Sequence, residues 1–558
     1  MDLPPVPAIE LHLTQSAVST TLTWALRNGT PGQPSGKALP SLSAELHRDP
    51  QGRYVLNLRS PKALPADTDC ELRLALTGTA TCVPTFDGRL QSGGANVNVD
   101  GIYRGPGAAA GSETALCLAL PMMCLRRPEG WWLAGTDPTF GTRITSGPQG
   151  LSFSWRLLAA AGPLGDWQRQ LVVQRVADAP AGLDAWCAQV APSAARPVWL
   201  KDIALNDYDY LGDNGEGWFK DLDALAKAIP ETQRHHAVAC LHGWYDEVGT
   251  YCMQADGSLK NEWTAFPHMP AMGTRNPGWP AGTGGPREDA YQFRIDGRLK
   301  PVAMSWSEVR RRLTYAKKLG FRTAFYAFTG LQRAGSPAAH VAEGTGIERP
   351  GNIWQGPDLV GETYIANPLH PQVRRFFLDL TTKLCQCVGD LADALVMDES
   401  YYVGRDQLGP AACPGYAAPA QATLIAEMTA ICHRTRPSLA FLTADLLGAP
   451  QIDPVVFPYS LWADGIYQDS ACRPSTWGAV RFPAWKATAW SCNWAPLTNL
   501  EWTRQAVAQG GPVAVANGCF GDDVGFADMS PAVQAELMTL FRTRIAALNQ
   551  PKMAPKVP

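Results

Sequence analysis

The sequence predicts a two-part chain, an N-terminal antiparallel β-sandwich followed by a (β/α)8 TIM barrel. Three observations predict it. Apolar and polar residues alternate with period two through about residue 180, between clusters rich in Gly, Pro, Asp and Ser. From Pro197 the pattern changes to short apolar runs separated by segments of helical period. The chain has 558 residues, enough for both units, since barrels take about 200 to more than 400 residues. The expected boundaries are a sandwich over 1–180, a short helix and linker over 181–196, a barrel over 197–550 and a flexible tail over 551–558.

In the first part, strands are expected at Ile9 to Leu13, Glu45 to His47, Tyr54 to Leu58 and Glu71 to Leu76. Further strands are expected at 96–99, 114–118, Leu151 to Leu157 and Leu171 to Val176. Turn clusters such as 49–52 and 146–150 separate them, which is the pattern of paired antiparallel sheets.

In the second part, the expected strands are 198–203, 237–242, 323–328, 394–399, 439–444, 460–464, 485–490 and 512–517. Helices are expected between them. One spans 219–229, with Leu222, Leu225, Ala226 and Ile229 on one face and Pro230 ending it. Another opens on the capping box Ser305 to Glu308 and ends at Gly320. Pro371 opens a third, with Val373, Phe376, Phe377, Leu380 and Leu384 inward, and Gly389 stands where a left-handed cap is expected. A fourth lies near 420–435, a fifth starts at the box Thr498 to Glu501, and the last runs from Pro531 through Leu548. An open doubly wound sheet is the competing architecture, but no Gly-rich phosphate turn follows any strand.

Barrel active sites are built at the C-terminal ends of the strands. Those ends collect carboxylates and large aromatics: Asp202, His242, Trp244, Asp246, Tyr326, Asp398, Trp462, Asp464, Asp469, Lys486, Trp490 and Asp523. Two carboxylates facing a cleft are what glycosidic cleavage needs, one to protonate the leaving oxygen and one to attack or activate water. Asp398 directly follows an apolar run and is the first candidate; Asp464 and Asp469 compete for the second role, with Asp246, Glu247 and Asp523 behind them. Glu399 falls on the opposite face by strand alternation and reads as structural. Trp244, Trp462 and Trp490 are candidate sugar platforms, whereas Trp24, Trp155 and Trp186 read as core. The remaining candidates, Asp202, His242, Asp246, Tyr326, Lys486 and Asp523, are taken as substrate-binding. Each also has an ordinary reading as an ion pair, a core or loop residue, or a solvated turn.

Composition narrows the function classes. The net charge is −3, which lacks the basic excess that a nucleic-acid partner requires. No run approaches the roughly 18 apolar residues of a membrane span. The opening residues lack a basic n-region and an apolar h-region, which predicts a cytoplasmic protein, or a periplasmic or secreted one if a signal has been removed. The 14 cysteines show no paired C-x-x-C set, and those within apolar runs, such as Cys240, Cys385 and Cys519, read as buried free thiols. Nothing in the residues demands a metal or a cofactor. The expected partner is a carbohydrate substrate, and a homo-oligomer is compatible with the sequence.

The sandwich ahead of a barrel, Leu395 to Asp398 ending the fourth strand and Trp462 to Asp464 at the sixth together resemble retaining α-glycosidases. The resemblance is to the melibiase-like superfamily of α-galactosidases and covers most of the chain. It implies a glycoside hydrolase with Asp398 as nucleophile and Asp464 or Asp469 as acid/base. The Asp-Asp-Gly-Trp run and the Lys-x-Asp of that superfamily are absent here. Two other classes compete: a non-catalytic carbohydrate-binding protein, and a barrel metallohydrolase. The latter wants His-x-His after the first strand, where Lys201, Asp202 and Ile203 stand.

Overall fold

The computed structural model describes residues 6–15, 18–37, 42–61, 68–84, 90–93, 99–103, 116–118, 120–137, 142–157, 164–190, 196–209, 215–246, 250–265, 302–329, 331–333, 363–365, 368, 371–398, 417–444, 462–468, 489–491, 500–508, 511–517 and 525–549.

The first part contains two sheets. One has nine strands, in the path Leu116–Cys117, Val99–Tyr103, Thr142–Gly147, Gly150–Leu157, Thr68–Leu74, Ala8–Gln15, Val18–Arg27 and Thr30–Pro31, with Ser35–Gly36 also beside Val18–Arg27. The other has seven, in the order Ser43–Arg48, Tyr54–Ser60, Leu164–Val176, Gly130–Thr136, Met122–Arg127, Ala80–Pro84 and Leu90–Gly93. Period two sets their faces: Ile9, Leu11 and Leu13 are buried while their neighbours are partly exposed. Both sheets contribute to one apolar cluster, including Leu11, Trp24, Leu72 and Phe153 from the first and Leu56, Met123, Trp132 and Leu171 from the second. Trp24, Trp155 and Trp186 are buried, as their positions predict.

Helix α1 (Ala179–Val190) occupies most of the stretch expected to hold a short helix and linker. It packs on the seven-stranded sheet, because Leu183 and Trp186 need apolar cover and find it against Met122, Cys124 and Leu133. The Trp186 indole N–H donates to the Thr136 carbonyl at 2.9 Å, which satisfies its polar edge.

The second part is built on an eight-stranded parallel sheet. Its strands are β1 (Leu205–Asp209), β2 (Ala237–Leu241), β3 (Arg322–Thr329), β4 (Ala394–Asp398), β5 (Ala440–Ala444), β6 (Gly465–Gln468), β7 (Ala489–Ser491) and β8 (Val513–Asn517). Their order is β7-β6-β5-β4-β3-β2-β1-β8, so the first and last strands pair and sequential neighbours pair elsewhere. The edge strands β7 and β8 also approach one another. Helices α2 (Gly217–Ala228), α3 (Trp306–Lys318), α4 (Pro371–Val388), α5 (Ala417–Thr435), α6 (Leu500–Ala508) and α7 (Pro531–Asn549) follow β1, β2, β3, β4, β7 and β8. β4 is buried along its whole length, as expected of a parallel strand covered on both faces.

Two expected strands are displaced. Residues 198–202 form a 3-10 helix behind Pro197, and the strand begins at Leu205. Residues 460–464 precede the sixth strand, which starts at Gly465. The N-cap half of the expected box forms, the Ser305 hydroxyl accepting the Glu308 N–H at 3.1 Å, while the Glu308 carboxylate binds Arg311 and Arg312. Gly320 takes the left-handed conformation at φ +95°. Gly389 does not take it. Its glycine is required by space instead, since a Cβ there would strike the Cys385 carbonyl and come within 2.8 Å of the Thr435 methyl.

Candidate functional site

Three of the expected site residues meet at the C-terminal end of the parallel sheet. Asp398 is the last residue of β4 and is only 8% exposed. The Tyr326 hydroxyl, carried by β3, donates to its Oδ2 at 3.3 Å. His242 follows β2 directly, and its ring meets the Tyr326 ring edge-on with centroids 3.8 Å apart. Burial pushes the His242 imidazole well below its ordinary pKa of 6.5, so the ring is neutral at pH 7. The two-residue period brings these groups together. Register pairs Cys240 with Ala324 and Ala324 with Ala394, so His242, Tyr326 and Asp398 each lie an even number of residues from one interior row, allowing for a bulge in β3 after Tyr326. A buried carboxylate held by a phenol beside a neutral imidazole can act as a positioned nucleophile or base.

β7 places Trp490 in register with Tyr467 of β6, and Tyr467 in register with Ala444, one residue past the level where Met397 pairs with Thr443. The backbone of Trp490 therefore sits level with Asp398. Asp469, Lys486 and Asp523, together with Glu247 and Glu399, lie outside the described residues.

Several expected site residues are elsewhere. Asp464 precedes β6 and is level with Phe441 near the start of β5, at the opposite end of the sheet from Asp398. Its carboxylate accepts the Phe441 N–H at 2.9 Å and pairs with His433 of α5 at 2.9 Å. That pairing raises the His433 pKa. Asp464 is thus a staple between strand and helix at the sheet's N-terminal end, and β6 runs on from it to Gln468. Trp462 is displaced with it. It packs against both the cluster around α1 and the parallel-sheet core, so it joins the two parts of the chain. Asp202 ends the 3-10 helix ahead of β1, where its carbonyl bonds the His236 ring at 2.6 Å.

Trp244 is fully buried rather than open to a sugar. It stacks on Phe325 with centroids 4.5 Å apart and donates its indole N–H to the Tyr326 carbonyl at 2.6 Å. Trp244 therefore braces the backbone that carries the Tyr326 hydroxyl. Asp246 accepts from the Cys252 N–H at 2.9 Å, the Thr250 hydroxyl at 3.1 Å and the Lys260 ammonium at 2.5 Å. These bonds hold a loop in which Tyr251 and Cys252 both have positive φ, at 49° and 62°. An Asp with three donors inside its own loop has no evident need of a ligand.

The first-strand end was misplaced by the sequence pattern, and with it the polar residues Asn206 and Asp207, both buried in β1. Their polarity hid the strand from an apolar count, although the turn signal of Pro197 was a clue. Among the described residues no three His, Cys, Asp or Glu side chains gather at metal-binding range, and no helix is long and apolar enough to cross a membrane.

Comparison with protein-family models and with curated protein sequences finds no match. Among solved structures the fold is similar to that of the GH36 α-galactosidase AgaA from Geobacillus stearothermophilus. That likeness has a TM-score of 0.51 at 8% identity and covers 96% of this chain and 75% of that one. An α-galactosidase of Thermus thermophilus matches at TM-score 0.44 and 14% identity over 90% and 95% of the two chains. A cycloalternan-degrading enzyme from Trueperella pyogenes matches at 0.49 and 12% over 98% and 81%. The structural neighbours are thus α-galactosidases and related glycoside hydrolases, and at these identities the likeness is one of fold.

Proposed function

We propose that the chain is a glycoside hydrolase that cleaves O-glycosidic bonds of an oligo- or polysaccharide, with Asp398 as the nucleophile of a retaining α-glycosidase. The observation that carries this reading is the buried Asp398 carboxylate, ending the fourth strand and held by the Tyr326 hydroxyl. The architecture completing it is a sandwich joined to a parallel sheet closed between β7 and β8 as a (β/α)8 barrel, the sandwich ending with α1.

In this mechanism Asp398 attacks the anomeric carbon as the glycosidic C–O bond breaks, and an acid protonates the departing oxygen. The same acid, now a base, then takes a proton from water, which displaces the sugar from Asp398. Asp464 lies at the wrong end of the sheet for that partner. Asp469, the residue that follows β6 in the sequence, is assigned the role; a retaining mechanism requires the two carboxyl groups to stand about 5 Å apart. Tyr326 orients the nucleophile by its hydrogen bond, and neutral His242 holds the phenol without placing a second charge beside the developing cationic sugar. Trp490, Lys486 and Asp523 would contact the sugar.

The test is turnover of aryl α-glycosides and of stachyose, the ligand of one AgaA complex. Asp398→Asn is expected to lower kcat by at least about 10³-fold with the circular dichroism spectrum unchanged. Asp469→Asn is expected to slow substrates with poor leaving groups far more than activated aryl glycosides. Full activity in Asp398→Asn would end this assignment, and glycan binding without hydrolysis by the unaltered chain would make it a carbohydrate-binding protein.

A further inference from the structure

Two buried thiols face each other between the helices that flank β4. Cys385 lies in α4, the helix before β4, and Cys432 lies in α5, the helix after it. Their sulfurs are 3.9 Å apart and share a hydrogen bond. The helices approach closely at this point because Gly389, one turn beyond Cys385, lets Thr435 come against the α4 backbone. Closing a bond of about 2.05 Å therefore needs a sulfur displacement of roughly 2 Å, within the reach of side-chain rotation. The 47-residue span between them contains all of β4, including Asp398.

We propose that Cys385 and Cys432 form a reversible disulfide that ties α4 to α5 when a peroxide is present. The Cys385 thiolate attacks one oxygen of hydrogen peroxide, the O–O bond breaks, and a sulfenic acid and hydroxide form. Cys432, whose thiol burial holds protonated, then gives up its proton as its sulfur attacks the Cys385 sulfur, the S–O bond breaks, and hydroxide leaves. The protons released by the two thiols turn both hydroxides into water, so two thiols and one peroxide give one disulfide and two waters. The hydrogen bond with Cys432 lowers the Cys385 pKa despite burial, which favours Cys385 as the attacking sulfur. Cys82 and Cys124, cross-strand partners in the seven-stranded sheet, make a useful contrast. Burial raises the Cys124 thiol well above its ordinary value, as it does that of Cys432, but the Cys124 sulfur donates to the Ala179 carbonyl.

The full chain treated with hydrogen peroxide, alkylated and digested should yield a peptide linking Cys385 to Cys432 and lose about 2 Da. Its Tm should rise and return to the untreated value with dithiothreitol, because the crosslink restricts the unfolded chain. Cys385→Ser and, separately, Cys432→Ala should lose both the linked peptide and the rise. Intact alkylatable thiols, a sulfinic acid on Cys385 without the link, or a Cys82–Cys124 link alone would each overturn the proposal. The wild-type digest decides the matter even if either variant fails to fold.

Discussion

A carboxylate's role is decided by what surrounds it, and Asp398 and Asp464 differ in little else. Both are Asp residues after short apolar segments, and both are nearly buried. Asp398 meets a phenol at a strand's C-terminal end; Asp464 meets a backbone N–H and an imidazole before a strand. Removing one partner of a buried pair leaves the other uncompensated, so Asp464→Ala is expected to cost about 3 kcal/mol in urea unfolding. If Asp464 were catalytic instead, Asp464→Asn would abolish turnover in a protein of near-normal stability. The two histidines are expected to respond oppositely to pH. Asp464 raises the His433 pKa above its ordinary 6.5, so that stabilisation is complete below pH 6.5 and is lost as pH rises through the raised value. Burial lowers His242 well below 6.5, so the unfolded chain binds a proton the folded one refuses, and stability falls as pH drops below 6.5. His433→Gln should therefore lose more stability at about pH 5.5 than at about pH 7.5. His242→Phe should flatten the acid-side loss, and greater acid sensitivity in that protein would contradict this account.

Elements were legible where local signals agreed. The Ser305 box starts α3 where the pattern predicts, because the hydroxyl satisfies a first-turn donor whatever the fold around it. Ser305→Ala is expected to cost about 1 kcal/mol and Ser305→Gly only a few tenths, read from chemical denaturation midpoints. The first and sixth strands were misread because 198–203 and 460–464 are apolar enough for strands, while β1 contains Asn206 and Asp207. Ladder pairing decides there: Leu205 meets Ala237 and Val513, and the polar pair is carried along by the register. Met122–Arg127 is a continuous apolar run without alternation, so only its pairing with neighbours identifies it as a strand, whereas Val18–Arg27 carries a legible alternation at Leu22, Trp24 and Leu26 that the expected strands leave out. Gly389 shows the same limit within a helix end. Its sequence context suggests a left-handed cap, but the space is closed by the Cys385 carbonyl of its own helix and by Thr435, which the approach of α5 brings in. Gly389→Ala is expected to cost about 2 kcal/mol, and a neutral result in thermal unfolding would mean that the two helices part easily.

At the scale of the whole molecule, Trp462 is a residue that links the two parts. It packs between the α1 cluster and the parallel-sheet core, so Trp462→Ala is expected to separate one calorimetric transition into two while leaving KM for a small substrate nearly unchanged. A large KM change would restore Trp462 to the substrate site. The sequence by itself determined the change from a strand-only first part to a strand-and-helix second part, the existence of most strands and helices, the apolar core and the position of Asp398 at the end of β4. Those follow from period, propensity and capping, which act over a few residues. The tertiary structure alone decided which polar residues share a space: that His242 and Tyr326 meet Asp398, that Trp244 is buried beneath them, and that Asp464 faces His433 at the far end. The physical reason is register. A shift of a few residues in where a strand begins preserves its apolar character but moves every side chain along it, and only pairing with neighbouring strands determines where each one ends.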